Sequence, residues 1–420
     1  MKPKIAYAGM THLGLCSSIG GASKGFDMLG FDADAALVAR LDQGKLPVVE
    51  PDLDDMLAAN RDHMAFTSDP AKLRGYDVVY VAPDVPTDDL GGSDLTGLDT
   101  LLELVLANTR DDVVVVVLSQ VPPGYTRARQ RPGRLLYYQV ETLVFGRAVE
   151  RATQPERFIV GAPDGATLPP ALKAYLEGFG CPLLPMRFES AELTKISINC
   201  CLVASVTVAN TLAELCERIG ADWSEIAPAL KLDKRIGAHS YLSPGLGLAG
   251  GNLERDLTTV IRFSEEYGTD AGLIKAFVAS SKHRKDWALR TLHELVLSKN
   301  PGARIAVLGL AYKENTHSVK NSPSLALIRN LAPWPLTVFD PVVPASAAPH
   351  PAVTGAPSAL EAVKGADVLA IMTPWPDFKK LDPAAIAAAM AGKIVLDPYR
   401  VLDPVKAKAA GLDHRLLGVS

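Results

Sequence analysis

Between a short apolar run and a helical pattern the chain reads Gly9-Met10-Thr11-His12-Leu13-Gly14. Glycines there allow a tight turn and a close backbone approach. The helix that follows offers unpaired N–H groups and the positive end of its dipole, a combination that attracts a pyrophosphate. Gly9, Thr11, His12, Leu13 and Gly14 are therefore the expected contacts of a dinucleotide. Thr11 stands where the GxGxxG pattern has its second glycine, and its side chain is expected to crowd the phosphates. Asp32 follows Gly9 by 23 residues, at the end of the next apolar strand, where a carboxylate accepts both ribose hydroxyls and repels a 2′-phosphate. That favours NAD over NADP. The competing reading is a strand-turn-helix whose glycines serve packing alone.

The elements that must position these residues follow from periodicity. Apolar strands are expected at 4–8, 28–31, 78–82 and 113–118, with helices at 15–29 and 99–108. Strands alternating with helices imply a parallel sheet covered on both faces. From Ser190 to Ile219 the spacing of Leu193, Ile196, Leu202, Val206, Ala209 and Leu212 predicts one long helix, expected to bridge domains and to carry a homodimer contact. A second helix is expected at 271–298. The strand-turn-helix pattern then restarts at Arg304, with strands at 304–308, 336–339, 368–372 and 393–396 and a helix from Ser324. The fold class is α/β: two Rossmann-like doubly wound domains, 1–188 and 301–420, joined by a helical region at 189–300 built on the long central helix.

With 420 residues, 48% hydrophobic and 21% charged, the chain has the balance of a soluble globular protein. A net charge of −4 without a basic block argues against nucleic acid as a partner. No secretory leader is evident, and the longest unbroken apolar run, Val113 to Leu118, is far below the roughly 20 residues that span a bilayer. The expected location is the cytoplasm, with no membrane partner. Five cysteines without CxxC spacing indicate reduced thiols and no metal site.

Six further segments carry a resemblance along nearly the whole chain: Glu50-Pro51-Asp52-Leu53; Pro155 to Gly161; Glu192-Leu193-Thr194-Lys195 with Asn199; Arg235-Ile236-Gly237 with Pro244-Gly245-Leu246-Gly247; Gly309-Leu310-Ala311-Tyr312-Lys313 with Ser322-Pro323-Ser324; and Asp340-Pro341. In order and spacing the sequence resembles the UDP-glucose/GDP-mannose dehydrogenases. The resemblance implies NAD in the first domain, with Ser119 among its contacts, a UDP- or GDP-sugar in the last, and the sugar beside the helical region. It further implies that the loop from Tyr241 to Gly251 wraps the sugar nucleotide. Tyr241, Ser243, Gly245, Gly247 and Gly250 are the expected contacts there, and Lys313 and Lys320 the expected positive charge.

That family oxidises a sugar CH2OH twice, and the second step needs a cysteine thiolate to trap the aldehyde. Here Asn252 stands at the nucleophile position, followed by Leu253-Glu254-Arg255 and by Asp256 at the family aspartate. Gln120 replaces the family threonine after Ser119. Of two family glutamates the first is kept as Glu141 and the second is Phe145. Phe145 and Leu253 are expected to make the sugar pocket more apolar. Cys200 and Cys201 diverge by about 100° around a helix, so one at most faces a sugar, and both are expected as core residues.

Lys195, Asn199, Asp256 and Glu141 remain as the groups that deprotonate an alcohol and stabilise its alkoxide. The expected chemistry is one two-electron oxidation without the thioester step, with Lys195 taking the hydroxyl proton. Either the carbonyl is released, or Glu141 removes the neighbouring proton and a β-hydroxyl leaves, a redox-neutral dehydratase reaction with NAD recycled. A related course without elimination is epimerisation. The alternatives are a conventional 6-dehydrogenase making a uronic acid, and a non-catalytic binder of sugar nucleotides.

Overall fold

Strand β1 (Ile5–Ala8) is buried along its whole length, and the reason lies in which core each residue enters. Ile5 and Tyr7 join one apolar cluster with Val78, Tyr80, Val114 and Val116. Ala6 and Ala8 join another with Val79, Val81, Val115 and Val117. Successive side chains of a strand point to opposite faces, so a sheet covered on both sides needs an unbroken apolar run. A computed structural model describes residues 2–88 and 92–420 and divides the chain into two units, Met1–Ile198 and Asn199–Ser420.

The first unit is built on eight strands: β1, β2 (Met28–Phe31), β3 (Met64–Thr67), β4 (Val78–Val81), β5 (Val114–Val117), β6 (Leu135–Gln139), β7 (Phe158–Ala162) and β8 (Leu183–Arg187). Their order is β3-β2-β1-β4-β5-β6-β7-β8, parallel except for the β6–β7 pair. The chain reverses its direction of progress between β1 and β4, and a ligand crevice of an open α/β sheet lies at the strand ends of such a switch point. Helix α1 (His12–Ala22) starts three residues before the expected helix and ends before Ser23, because a turn closed by Gly25 at φ +71° separates it from β2. Helix α2 (Thr96–Asn108) covers the other face through Leu98, Leu102 and Val105.

Helix α3 (Phe188–Ile219) runs for 32 residues, close to the expected span. By length and composition it is apolar enough to cross a membrane, which the reading by unbroken apolar runs overlooked. Its polar groups nevertheless have protein partners: Asn210 accepts the Gly245 N–H at 2.8 Å, and Glu217 accepts from Arg284, Trp287 and the Gly418 backbone.

In the second unit, α4 (Asn252–Tyr267) is followed by α5 (Gly272–Lys285) and α6 (Trp287–Leu292). The single helix expected over 271–298 is broken at Asp286 and ends in a π-helical turn at His293–Leu297. Arg284 and Trp287, on either side of the break, both donate to Glu217. Six parallel strands follow: β9 (Ile305–Leu308), β10 (Leu336–Phe339), β11 (Val353–Gly355), β12 (Val368–Ile371), β13 (Ile394–Leu396) and β14 (Asp413–Arg415), in the order β11-β10-β9-β12-β13-β14. This repeats the order of the first six strands of the first unit. Gly9 and Gly309 take φ +95° and +93°, and their N–H groups bond Phe31 O and Phe339 O at 2.9 and 2.8 Å.

Candidate cofactor and catalytic site

In the first unit the glycine motif sits at the switch point. A Cβ on Gly14 would lie 1.9 Å from Gly9 O, and one on Gly9 would meet Pro83 N at 2.9 Å. Neither position can hold a side chain without moving backbone. Asp32 is at the end of β2, where its carboxylate accepts the N–H groups of Met10 (2.8 Å) and Asp34 (3.0 Å). A carboxylate has about four acceptor positions, so two remain for ribose hydroxyls. These features fit a dinucleotide.

Thr11 does not obstruct the seat as expected. Its hydroxyl is turned to the end of β4, donating to Ala82 O (3.4 Å) and accepting from Asp84 N (2.9 Å). Asp84, which sequence reasoning missed, comes to the same turn. Its carboxylate accepts His12 N at 3.2 Å and Leu13 N at 3.4 Å, the N–H groups expected to face a pyrophosphate. The residue as a whole is exposed, but the carboxylate turns inward, and its desolvation raises the carboxyl above the usual range against the opposing pull of His12 and the two N–H bonds. Ser119, expected among the cofactor contacts, is buried and gives its hydroxyl to Pro83 O, so it fixes the segment that carries Asp84. Gln120 follows it, half-buried.

His12 also has a role that its backbone position did not reveal. Its Nε2 lies 3.0 Å from Glu50 Oε2, both side chains being buried, while Glu50 Oε1 accepts Ala148 N at 2.8 Å. Phe145 stacks on the His12 ring with centroids 4.2 Å apart. Phe145 therefore covers the start of α1, a place the sequence did not indicate for it.

Glu141 follows β6 and meets Lys195 of α3, Oε2 to Nζ 2.9 Å, with side chains 17% and 12% exposed. Partial burial strengthens such a pair relative to a surface ion pair. Glu141 also lines a cavity of about 40 Å³ with Tyr7, Gln139, Arg151 and Tyr175 among a mostly apolar lining that includes Leu13, Leu118 and Phe158; it is roomy enough for water.

In the second unit Asn199, one helical turn beyond Lys195 on α3, donates its Nδ2 to Asp256 Oδ2. The other Asp256 oxygen is 3.4 Å from Arg255 Nε, and all three residues are buried. Asp256 and Arg255 belong to α4, a helix the sequence reading passed over. Leu253, Leu257 and Ile261 at i, i+4 and i+8, with Gly268 as a left-handed stop, are the signal that marks it. Asn252 is its first residue and is exposed. Leu253 packs on Val203, Leu248, Leu257 and Phe277, in the core below the loop.

The loop differs from expectation in how its glycines are used. The N–H groups of Gly245, Leu248 and Gly250 are taken by Asn210 Oδ1, Ser281 Oγ and Lys320 O. Gly247, at φ +75°, lies so near Ser281 that a Cβ would be 2.4 Å from its carbonyl oxygen. These glycines permit packing, and Tyr241, Ser243 and Asn252 are exposed along the loop. Gly250 is further held by Asn321 Nδ2 on its carbonyl at 2.9 Å. Lys313 Nζ lies 5.7 Å from the Tyr312 ring centre, and Lys320 meets the loop through its backbone.

Cys200 is half-buried and Cys201 is exposed, so the expectation of two core thiols holds poorly for Cys201. Burial, with Asp256 and Cys201 adding to it, pushes the Cys200 thiol up to about 11. It is protonated at neutral pH and a poor nucleophile.

Three family models match in succession. Residues 3–175 match the NAD binding domain of the UDP-glucose/GDP-mannose dehydrogenase family, 189–282 its central domain and 306–404 its UDP binding domain. The chain is 28% identical over 429 residues to a UDP-glucose 6-dehydrogenase of Rickettsia conorii, with 99% of each chain covered. To that of Pseudomonas aeruginosa it is 29% identical over 442 residues, covering 99% of this chain and 97% of the other. Among solved structures it resembles a UDP-glucose dehydrogenase from Pyrobaculum islandicum (TM-score 0.86, 27% identity, 100% and 98% covered).

Proposed function

From the premise that the chain belongs to the UDP-glucose/GDP-mannose dehydrogenase family, we propose that it carries out a single two-electron oxidation of a sugar-nucleotide alcohol and does not go on to a thioester. NAD is the two-electron acceptor. Residues 1–188 hold it through Gly9, His12, Leu13, Gly14 and Asp32; 301–420 hold the nucleotide, UDP by the family model, with Lys313 and Lys320 as its cations; and 189–300 handle the sugar.

One observation carries the reading. An exposed carboxamide, Asn252, opens α4 beside a retained Asn199–Asp256 contact, while Lys195 and Glu141 stay paired at 2.9 Å. A carboxamide cannot add to an aldehyde and later leave as a thiolate does, and the protonated Cys200 does not replace it. Lys195, 2.9 Å from Glu141, is the cation of the pair. The ammonium then stabilises the developing alkoxide and Glu141 accepts the hydroxyl proton, a revision of the assignment to Lys195 alone. In a second reading Glu141, once its first proton has passed to solvent, removes the proton next to the new carbonyl, a β-hydroxyl departs as water, and the hydride is returned to the unsaturated product, so that NAD is recycled.

Incubation with NAD and UDP-sugars, counting NADH per sugar consumed and weighing the product, tests this. One NADH and a loss of two mass units are expected. None, with loss of 18 mass units, gives the dehydratase; two NADH and an acid refute both.

We further propose a homodimer through α3. Val208, Leu212, Leu215 and Ile219 are 53%, 41%, 51% and 64% exposed, and their spacing of four, three and four continues back through Ser205 and Cys201 as a coiled-coil seam that a second copy of the same helix can complete. Sedimentation of the wild type as a dimer and of Leu212→Glu/Leu215→Glu as a monomer is expected; a monomeric wild type removes the proposal.

A further inference from the structure

We infer that Asp84 is a resident occupant of the pyrophosphate seat, so that NAD binds this chain only by displacing it; this rests on the cofactor reading above. The chain leaves β4 along a path fixed at several points. Ala82 N bonds Ala8 O at 2.8 Å, the Ser119 hydroxyl holds Pro83 O, and Asp84 N donates to Thr11 Oγ1 at 2.9 Å. From there both carboxylate oxygens reach the first turn of α1, on His12 N and Leu13 N.

These N–H groups have no partner within the helix and lie at the positive end of its dipole, so an anion is stabilised there whether it comes from a ligand or from the chain. A pyrophosphate and the Asp84 carboxylate cannot both take them. Were the carboxylate to stay nearby, its charge would oppose the incoming phosphates.

The contact is also of a kind that can be exchanged. At 3.2 and 3.4 Å the two bonds are longer than the roughly 2.7–2.9 Å usual for charge-assisted pairs, and the outer side of the residue is open to solvent. Thr11 contributes twice: it fills the position of the missing glycine, and its hydroxyl orients Asp84. The substitution that looked like damage to a phosphate loop is thereby coupled to the acid that fills it. The effect on affinity follows from occupancy, since a ligand's apparent affinity falls by the fraction of protein whose site is open.

The test compares wild type, Asp84→Ala and Asp84→Asn in direct binding of NADH by fluorescence and of NAD by calorimetry, together with the melting temperature of each protein without cofactor. Asp84→Ala is expected to bind both about ten-fold tighter or more and to melt lower, because α1 has lost the anion at its N-terminus. Asp84→Asn should fall between, its carboxamide oxygen keeping a bond without the charge. Equal or weaker binding by both variants, with wild type still binding, overturns the inference and leaves the cofactor reading standing. Absence of binding in all three proteins overturns that reading and the inference with it.

Discussion

Lys195→Met is expected to lower turnover by about 1,000-fold with NAD affinity unchanged. Methionine keeps most of the apolar stem of lysine and is one atom shorter, so packing on α3 is largely kept, and what disappears is the cation 2.9 Å from Glu141. Without it a developing alkoxide has no positive charge to meet, and Glu141 loses the group that orients it. The loss should fall on kcat more than on KM, because the missing interaction strengthens as charge develops on oxygen. Initial rates of NADH formation, with NAD binding measured separately by calorimetry, decide the point. Activity within ten-fold of wild type would remove Lys195 from the proposed chemistry.

The second large effect concerns stability. Asp256→Ala is expected to cost about 3–5 kcal/mol, the usual consequence of deleting one partner of a buried charge pair. Asp256 is 1% exposed and Arg255 5%, so the variant leaves a guanidinium and the Asn199 amide in the interior with a partner removed. Asp256→Asn should cost less, since a carboxamide still accepts from Asn199. Urea unfolding of the two variants beside wild type tests this. A change below about 1 kcal/mol for Asp256→Ala would mean that Arg255 finds other partners at no cost.

Much of the fold was legible because its cause is local. The apolar strands from Ile5, Val78, Val114, Ile305 and Val368 are four-residue runs buried throughout, and the glycines that follow β1 and β9 are required by backbone conformation. β8 was not legible, since Leu183–Arg187 is an edge strand, only half-buried, with Pro185 inside it. Helix α4 was hidden by its charged faces and by the glycine run before it. Within the candidate site, the sequence marked Gly9 and Gly14, which leave no room for a Cβ, and Asn199 and Asp256, which meet in a hydrogen bond. Asp84 was not readable, because its meaning depends on β4 ending beside β1, a neighbourhood that only the strand order creates. The loop at 241–251 was readable in its glycines but not in its hydrogen bonds, which go to Asn210, Ser281 and Lys320, distant in sequence.

Arg284 is 1% exposed and spends its charge on Glu217, itself tied to Trp287 and Gly418. Counterions screen charges that face solvent over about 8–10 Å at ordinary ionic strength, but they do not enter this interior. Brine should therefore loosen the surface pairs of the molecule, such as Lys275 with Glu265, and leave the joint between α3, α5 and the chain terminus as firm as before.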